Sequence, residues 1–225
     1  ALKGSGVQNG ACALSEETRT ALLWKGHTRA LAYQLMSGTG LRWNECRTLA
    51  IGDINLAAGV ITLKAENEKN RKGAQIPLNS ELKPVMAGYM AERLRRLAGG
   101  STLLPGAFNT HPFFDGLPLS LAKAFKKDCE SAGVKVEDAS GKVIDIHSLR
   151  YFFGTELARA GVPITTTQKL MRHSTPHITA QVYIHATMQD KQQAVDLLPG
   201  LSDWDKEALK AVSCVTPSVT PSYRL

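Results

Sequence analysis

The stretch LMRHSTPHITAQVYIH, residues 170–185, combines a helix start with a single tyrosine. Thr175 and Pro176 form the start signal, because proline suits the first turn of a helix, where its missing N–H costs no hydrogen bond. Tyr183 then lies on the predicted helix, with His173 just ahead of it. A tyrosine at such a position is usually a packing residue. Whether its hydroxyl carries chemistry instead depends on the side chains that the rest of the chain brings to it.

Outward from this stretch, the sequence predicts a mainly helical α+β domain. Ser15 is a predicted helix N-cap, with two glutamates in the first turn that follows. Between residues 51 and 79, short β-branched runs alternate with turn residues, which indicates two or three antiparallel strands. Apolar residues at helical spacing and helix start signals predict eight helices. These helices span residues 15–37, 41–49, 80–98, 120–132, 147–160 and 202–212, and two more begin at Pro163 and Pro176.

The composition favours a polyanionic partner and argues against several other classes. The 225 residues carry a net charge of +7, and such an excess promotes binding to nucleic acid through the release of counterions. No apolar run approaches the roughly 20 residues that span a bilayer. The four cysteines lie far apart, as in a reduced cytosolic protein, and the histidines lack an H-E-x-x-H motif. We therefore predict no metal, no cofactor and no membrane partner.

Two short motifs place arginines beside other polar side chains. In TGLRWNE, residues 39–45, Arg42 and Glu45 are three apart and share one helical face, where the carboxylate can hold the guanidinium. An ordinary surface ion pair is the alternative. In IHSLRYF, residues 146–152, His147 and Arg150 also share a face. Their positive potentials oppose each other unless both face an anion. Solvated side chains at a helix start are the alternative interpretation.

A third motif, ENEKNRKGAQIPL at residues 66–78, reads as a β-hairpin with Lys69 and Lys72 near its tip. Taken in order, these motifs and the stretch around Tyr183 resemble the catalytic domain of the tyrosine recombinase (phage integrase) family. The resemblance covers residues from about 15 to 190. It implies an α+β, mainly α-helical fold with a small antiparallel three-stranded sheet.

The resemblance also implies a catalytic set. Its members are Arg42, Lys69, His147, Arg150, His173 and Tyr183. A tyrosine nucleophile allows DNA to be broken without loss of the bond energy, and arginines suit the charge that builds on the phosphate oxygens. The family lysine would protonate the leaving oxygen, and Lys72 competes with Lys69 for that role. Met171-Arg172 stands where many members have Leu-Gly, a departure that we interpret as a change in packing.

The implied organisation is a linker or remnant over 1–14, a catalytic domain over 15–197, and a helix with a flexible tail over 198–225. The family's N-terminal core-binding domain is expected to be absent from this chain. The expected partner is double-stranded DNA, bound as a tetramer by a protein that is monomeric when free. The last segment would dock on a neighbouring protomer or pack on its own domain.

The expected function is site-specific recombination through a 3′-phosphotyrosyl intermediate, for a mobile element or prophage, in a prokaryotic cytoplasm near the nucleoid. Two alternatives stay open. One is a type IB topoisomerase-like activity that rejoins the original strand. The other is a DNA-binding module that has lost its chemistry.

Overall fold

A computed structural model describes residues 14–67, 72–101, 104, 106–137, 141 and 143–184. Within these residues the chain forms seven α-helices and three strands, as the sequence predicts. The helices are α1 Glu16–Thr39, α2 Trp43–Arg47, α3 Leu82–Ala98, α4 Ala122–Ser131, α5 Ile146–Arg159, α6 Ile164–Met171 and α7 Pro176–Ile184. The strands are β1 Ile54–Asn55, β2 Val60–Leu63 and β3 Ala74–Pro77. The linker predicted over 1–14 (except residue 14) and the helix predicted over 202–212 lie outside the described residues.

The sheet is antiparallel in the order β1-β2-β3 and pairs neighbouring segments of the chain. Ile61 on β2 pairs with Ile54 on one side and Ile76 on the other, and all three side chains are buried. Side chains of a strand point alternately to the two faces, so this row covers the core while Thr62 faces solvent. The small three-stranded antiparallel sheet implied by the family resemblance is thereby confirmed, where the residue pattern alone indicated two or three strands.

Helix α1 is the longest helix described, and it packs against α2, α3 and α5. Ser15 caps its start, as predicted, and accepts a hydrogen bond from the backbone N–H of Thr18 at 3.2 Å. Its buried face includes Leu31, Leu35 and Met36, which are almost fully removed from solvent. None of the described helices has the length and apolar composition needed to cross a membrane.

Gly40 ends α1 and sets the direction of the chain into α2. Its φ of 64° lies in the left-handed region, and its backbone N–H donates to the Met36 carbonyl at 2.9 Å. Only two residues later, Arg42 forms the N-cap of α2. This tight turn therefore fixes where the side chains at the start of α2 project.

Gly40→Ala is expected to lower the free energy of unfolding by about 2 kcal/mol, since a left-handed residue with a Cβ costs about 1–2 kcal/mol. A Cβ built on Gly40 would also lie 2.5 Å from Cδ1 of Phe153. Urea denaturation measures the change. Gly88→Ala is the matched control, because Gly88 lies inside α3 with open space around it. The control should gain about 0.5–1 kcal/mol. Equal stability of the two variants would contradict the role assigned to this turn.

Candidate active site

Arg42 and Glu45 form a partly buried pair at the start of α2. Nη1 of Arg42 donates to Oε1 of Glu45 at 2.5 Å, and the Arg42 backbone N–H donates to Oε2 at 2.9 Å. The Glu45 side chain is only 2% exposed, whereas that of Arg42 is 20% exposed. Burial disfavours the Glu45 carboxylate, but the charge of Arg172 and the bonds from Arg42 outweigh it and lower its pKa. The surface ion pair considered above is thereby excluded.

Arg150 is buried on α5 and joins two other parts of the site. Its Nη1 donates to the carbonyl of Gly40, and its Nη2 donates to the carbonyl of Met171 at the end of α6. Burial and the positive charges of Arg42 and Arg172 lower the pKa of Arg150 to about 9. Arg150 is still charged at neutral pH, but it lies in a site that is short of negative charge.

Arg172 is a third guanidinium of the site, and the packing role expected from the sequence is wrong. Its side chain is 6% exposed, and Nη2 donates to Oε2 of Glu45 at 2.8 Å. The same Nη2 donates to the Gly40 carbonyl at 3.1 Å, which also accepts from Arg150. Arg172 therefore contacts the partner of Arg42 and an acceptor of Arg150.

His173 follows directly and lies close enough to these arginines to be affected by their charge. Burial and then the charges of Arg150, Arg42 and Arg172 lower its pKa to about 4, so the imidazole is neutral at pH 7. Its Nδ1 is 2.9 Å from the hydroxyl oxygen of Thr179, which is fully buried. When the Thr179 hydroxyl donates to Nδ1, the hydrogen of the neutral ring is on Nε2, which is then a donor.

The lowered pKa of His173 makes a testable pH prediction. An NMR titration should place the midpoint of its Cε1 proton near pH 4. Because the unfolded state binds the proton more readily, His173 should make the free energy of unfolding rise with pH between about 4 and 6.5. Urea denaturation at several pH values measures this rise, and His173→Gln should reduce it. A midpoint at pH 6 or above would contradict the environment described here.

His147 is exposed, although it shares α5 with the buried Arg150. Its side chain lines an open cleft of about 780 Å³ together with Arg42 and Glu45. On α5, His147 therefore faces solvent, whereas Arg150 is buried. The predicted Lys69 lies outside the described residues. Lys72 is exposed just before β3, and the choice between the two lysines stays a prediction.

Tyr183 is partly buried, and its hydroxyl is held by the segment that begins α6. It donates to the Val162 carbonyl at 2.6 Å and is 2.8 Å from Oγ1 of the fully buried Thr167. Since the single phenolic hydrogen is used on Val162, Thr167 donates to Tyr183. Among the hydrogen bonds found in the described residues, none joins Tyr183 to the arginines or to His173.

The profile described as "Phage integrase family" matches residues 15–190 of the chain. The chain belongs to the phage integrase family. Similar curated proteins of the family include "Tyrosine recombinase XerC-like" from Caldanaerobacter subterraneus subsp. tengcongensis, 28% identical over 79% of this chain and 50% of that protein. "Tyrosine recombinase XerD" from Corynebacterium glutamicum is 30% identical over 71% of this chain and 48% of that protein. The chain thus spans about half the length of these relatives.

Solved structures of recombinases confirm the tyrosine recombinase catalytic fold of this phage integrase family member. The crystal structure of XerA recombinase matches 83% of this chain and 64% of that chain, with a TM-score of 0.58 and 19% identity. The Tn1549 transposon integrase, solved with transposon right end DNA, matches 82% and 65%, with a TM-score of 0.52 and 20% identity. At these identities the likeness concerns the fold alone.

In this family member, the described residues bring Arg42, Arg150 and His173 into one cluster, and His147 lines the same open cleft as Arg42. Sequence reasoning missed three further members, which are Arg172, Thr167 and Thr179. Each of them contacts a predicted site residue or its partner. In the described part of the chain, no group of three or more His, Cys, Asp or Glu side chains is placed to hold a metal ion.

Proposed function

We propose that the chain is the catalytic part of a site-specific DNA recombinase that works through a 3′-phosphotyrosyl intermediate on Tyr183. The observation that carries this proposal is a cluster of three guanidiniums beside a neutral histidine. Arg150 and Arg172 are buried on the Gly40 carbonyl, and the partly exposed Arg42 shares Glu45 with Arg172. Three guanidiniums and one carboxylate leave net positive charge in a site where Glu45, Arg150 and Arg172 are buried and Arg42 is 20% exposed at the cleft. Such a cluster suits a phosphate group, which guanidiniums bind through planar, charged donors.

In the proposed step, one bond forms and one bond breaks at a phosphorus atom of DNA. The Tyr183 oxygen attacks phosphorus, the bond to the 5′-oxygen breaks, and the strand stays attached as a 3′-phosphotyrosine. The phenolic proton leaves to a base, and the 5′-oxygen takes up a proton to become a hydroxyl. We assign the first transfer to the exposed His147 and the second to Lys69, with Lys72 as the competing candidate. Attack by the 5′-hydroxyl of a partner strand reverses the step and rejoins the DNA.

Arg42, Arg150 and His173 are proposed to stabilise the charge that builds on the non-bridging oxygens. Arg42 is the most exposed of the three arginines in the site and lines the open cleft, so the N–H groups that it does not give to Glu45 or to the Arg172 carbonyl can meet a phosphate. The lowered pKa of His173 keeps its ring neutral at pH 7, so that it acts as a hydrogen-bond donor rather than as a cation. Donors fixed before the reaction stabilise a transition state without having to reorganise.

Tyr183 must exchange partners before it attacks. A backbone carbonyl accepts the phenolic hydrogen but cannot remove it, so the bond to Val162 describes a resting hydroxyl. The phosphate then competes with Val162 and Thr167 for this group. The exchange costs little, because a neutral hydrogen bond contributes only about 0.5–1.5 kcal/mol net.

The proposed partner is double-stranded DNA, and the proposed assembly is a tetramer on DNA formed from free monomers. Some structural relatives, such as the Tn1549 integrase, were solved in complex with DNA. The net charge of +7 agrees with such a partner. We also propose that the protein serves a mobile element or prophage and acts near the nucleoid. The predicted boundaries at residues 14 and 197, and the docking of residues 198–225, remain predictions.

The test is covalent capture of DNA. The 225-residue chain is incubated with a pool of duplexes that have a randomised centre and a nick in one strand, in the presence of EDTA. Cleavage near the nick releases a short piece and traps the strand on the protein. We expect an adduct that survives SDS, with the modified peptide containing Tyr183. No adduct, or one on another residue, would overturn the proposal. An adduct without strand exchange between two duplexes would favour the topoisomerase-like alternative.

A further inference from the structure

Arg172 adopts a backbone conformation that its side chain makes unfavourable. It ends α6 with a φ of 53°, and among the described residues it is the one non-glycine with a positive φ. Glycine is the usual residue at such a helix end, and a residue with a Cβ costs about 1–2 kcal/mol there. A side chain that is kept at this position despite the cost should make contacts that glycine cannot.

The contacts found within the described residues lie in the proposed active site. Nη1 of Arg172 donates to the Leu170 carbonyl at 3.0 Å, while Nη2 reaches both Glu45 and the Gly40 carbonyl. The backbone carbonyl of Arg172 in turn accepts from Nη2 of Arg42 at 3.4 Å. One residue therefore joins the end of α6, the turn at Gly40 and the start of α2.

Glu45 divides its two oxygens between two guanidiniums. Oε1 accepts from the Arg42 side chain, whereas Oε2 accepts from Arg172 and from the Arg42 backbone. A carboxylate facing Arg42 alone can turn both oxygens to that guanidinium in a bidentate pair. Such a pair would occupy the donors of Arg42 and offset its charge, leaving less of both for a phosphate.

We propose that Arg172 is a positioning residue. It holds Glu45 so that Arg42 keeps N–H groups and positive charge available for the phosphate. This inference rests on the proposed function and adds to it a residue that acts through Glu45. The shared Gly40 carbonyl extends the effect to Arg150, which donates to the same oxygen.

The test compares Arg172→Gly with the unchanged chain in covalent capture on the nicked duplex pool. Glycine suits the left-handed backbone, so the variant should keep its fold, which urea denaturation checks. We expect the rate of adduct formation to fall about 10- to 100-fold, because small misplacements of catalytic groups have effects of that size. Equilibrium binding of the intact duplex pool should change by less than about threefold, since the phosphate contacts along DNA are many.

Two further variants separate positioning from simple loss of charge. Arg172→Lys restores a charge beside Glu45 and should recover part of the lost rate. In a Glu45→Gln background, Arg172→Gly should have a smaller effect than in the unchanged chain, since residues that act together give non-additive changes. Arg159→Ala is the control, because it removes an arginine whose pair with Glu156 is half exposed. The control should leave the adduct rate unchanged.

The outcomes distinguish this inference from the proposed function. If the unchanged chain forms no adduct, the proposed function fails. If the unchanged chain forms the adduct and Arg172→Gly matches its rate, the positioning role fails while the proposed function stands. An equal loss in Arg159→Ala, or fully additive effects with Glu45→Gln, would also overturn the positioning role.

Discussion

Tyr183→Phe is expected to abolish covalent attachment of the chain to DNA while leaving its fold intact. The substitution removes one oxygen, the proposed nucleophile, and keeps the aromatic ring. In the structure that oxygen makes hydrogen bonds only with Val162 and Thr167 among the described residues. Each is worth about 0.5–1.5 kcal/mol, so the free energy of unfolding should fall by no more than a few kcal/mol. Binding to the intact duplex pool should be retained.

The measurement is SDS-resistant adduct on the nicked duplex pool, quantified on a gel beside the unchanged chain. Tyr151→Phe is the matched control, because Tyr151 is an exposed tyrosine on α5. It should form the adduct at the normal rate. An adduct that persists in Tyr183→Phe would assign the nucleophile to another residue. Loss of the adduct in both variants would point to a general effect of removing a phenol.

The local features of the fold could be predicted because their signals lie close together in the sequence. Ser15 is followed three residues later by the N–H that it caps, and Arg42 meets Glu45 within one helical turn. The strands pair with their neighbours along the chain, so alternating residues and turns between 51 and 79 were sufficient to predict the sheet. Contacts between residues a few positions apart depend on their spacing along the chain, which can be read directly from the sequence.

The supporting part of the site could not be predicted in the same way. Arg172 and Glu45 are 127 residues apart, and only the fold brings their side chains together. The one signal was an arginine at a helix end, where glycine is usual and a Cβ is unfavourable. Thr167 and Thr179 gave no signal, because a threonine in a helix is ordinary until its hydroxyl is seen to be buried against Tyr183 or His173.

Arg150→Lys is expected to lower the rate of adduct formation by about 100- to 1,000-fold, the usual effect of losing one transition-state donor. Lysine is also a cationic residue, so the substitution tests the planar geometry of the guanidinium at position 150. The two terminal nitrogens of Arg150 donate to the carbonyls of Gly40 and Met171, on separate parts of the chain. One ammonium lacks the planar fork that serves both carbonyls. Loss of the bond to the buried Met171 carbonyl costs about 1–3 kcal/mol of stability, whereas the Gly40 carbonyl still accepts from Arg172.

The environment of residue 150 adds a pH dependence that arginine does not show. Burial and the charges of Arg42 and Arg172 lower the pKa of Arg150 well below the usual range of an arginine, to about 9. A lysine begins from an ordinary pKa of about 10.4, so the same surroundings should leave much of it neutral at pH 7 to 8. The residual rate of Arg150→Lys should therefore rise when the pH is lowered from 9 to 6.5, relative to the unchanged chain.

The rate is measured on the nicked duplex pool at several pH values, with urea denaturation as the check on folding. Arg159→Lys is the control, since this arginine lies on the same helix in an exposed pair with Glu156 and should tolerate lysine. A rate for Arg150→Lys within a few-fold of the unchanged chain would show that position 150 supplies only charge. A reduced rate without the rise at low pH would contradict the predicted partial loss of charge from a lysine at position 150.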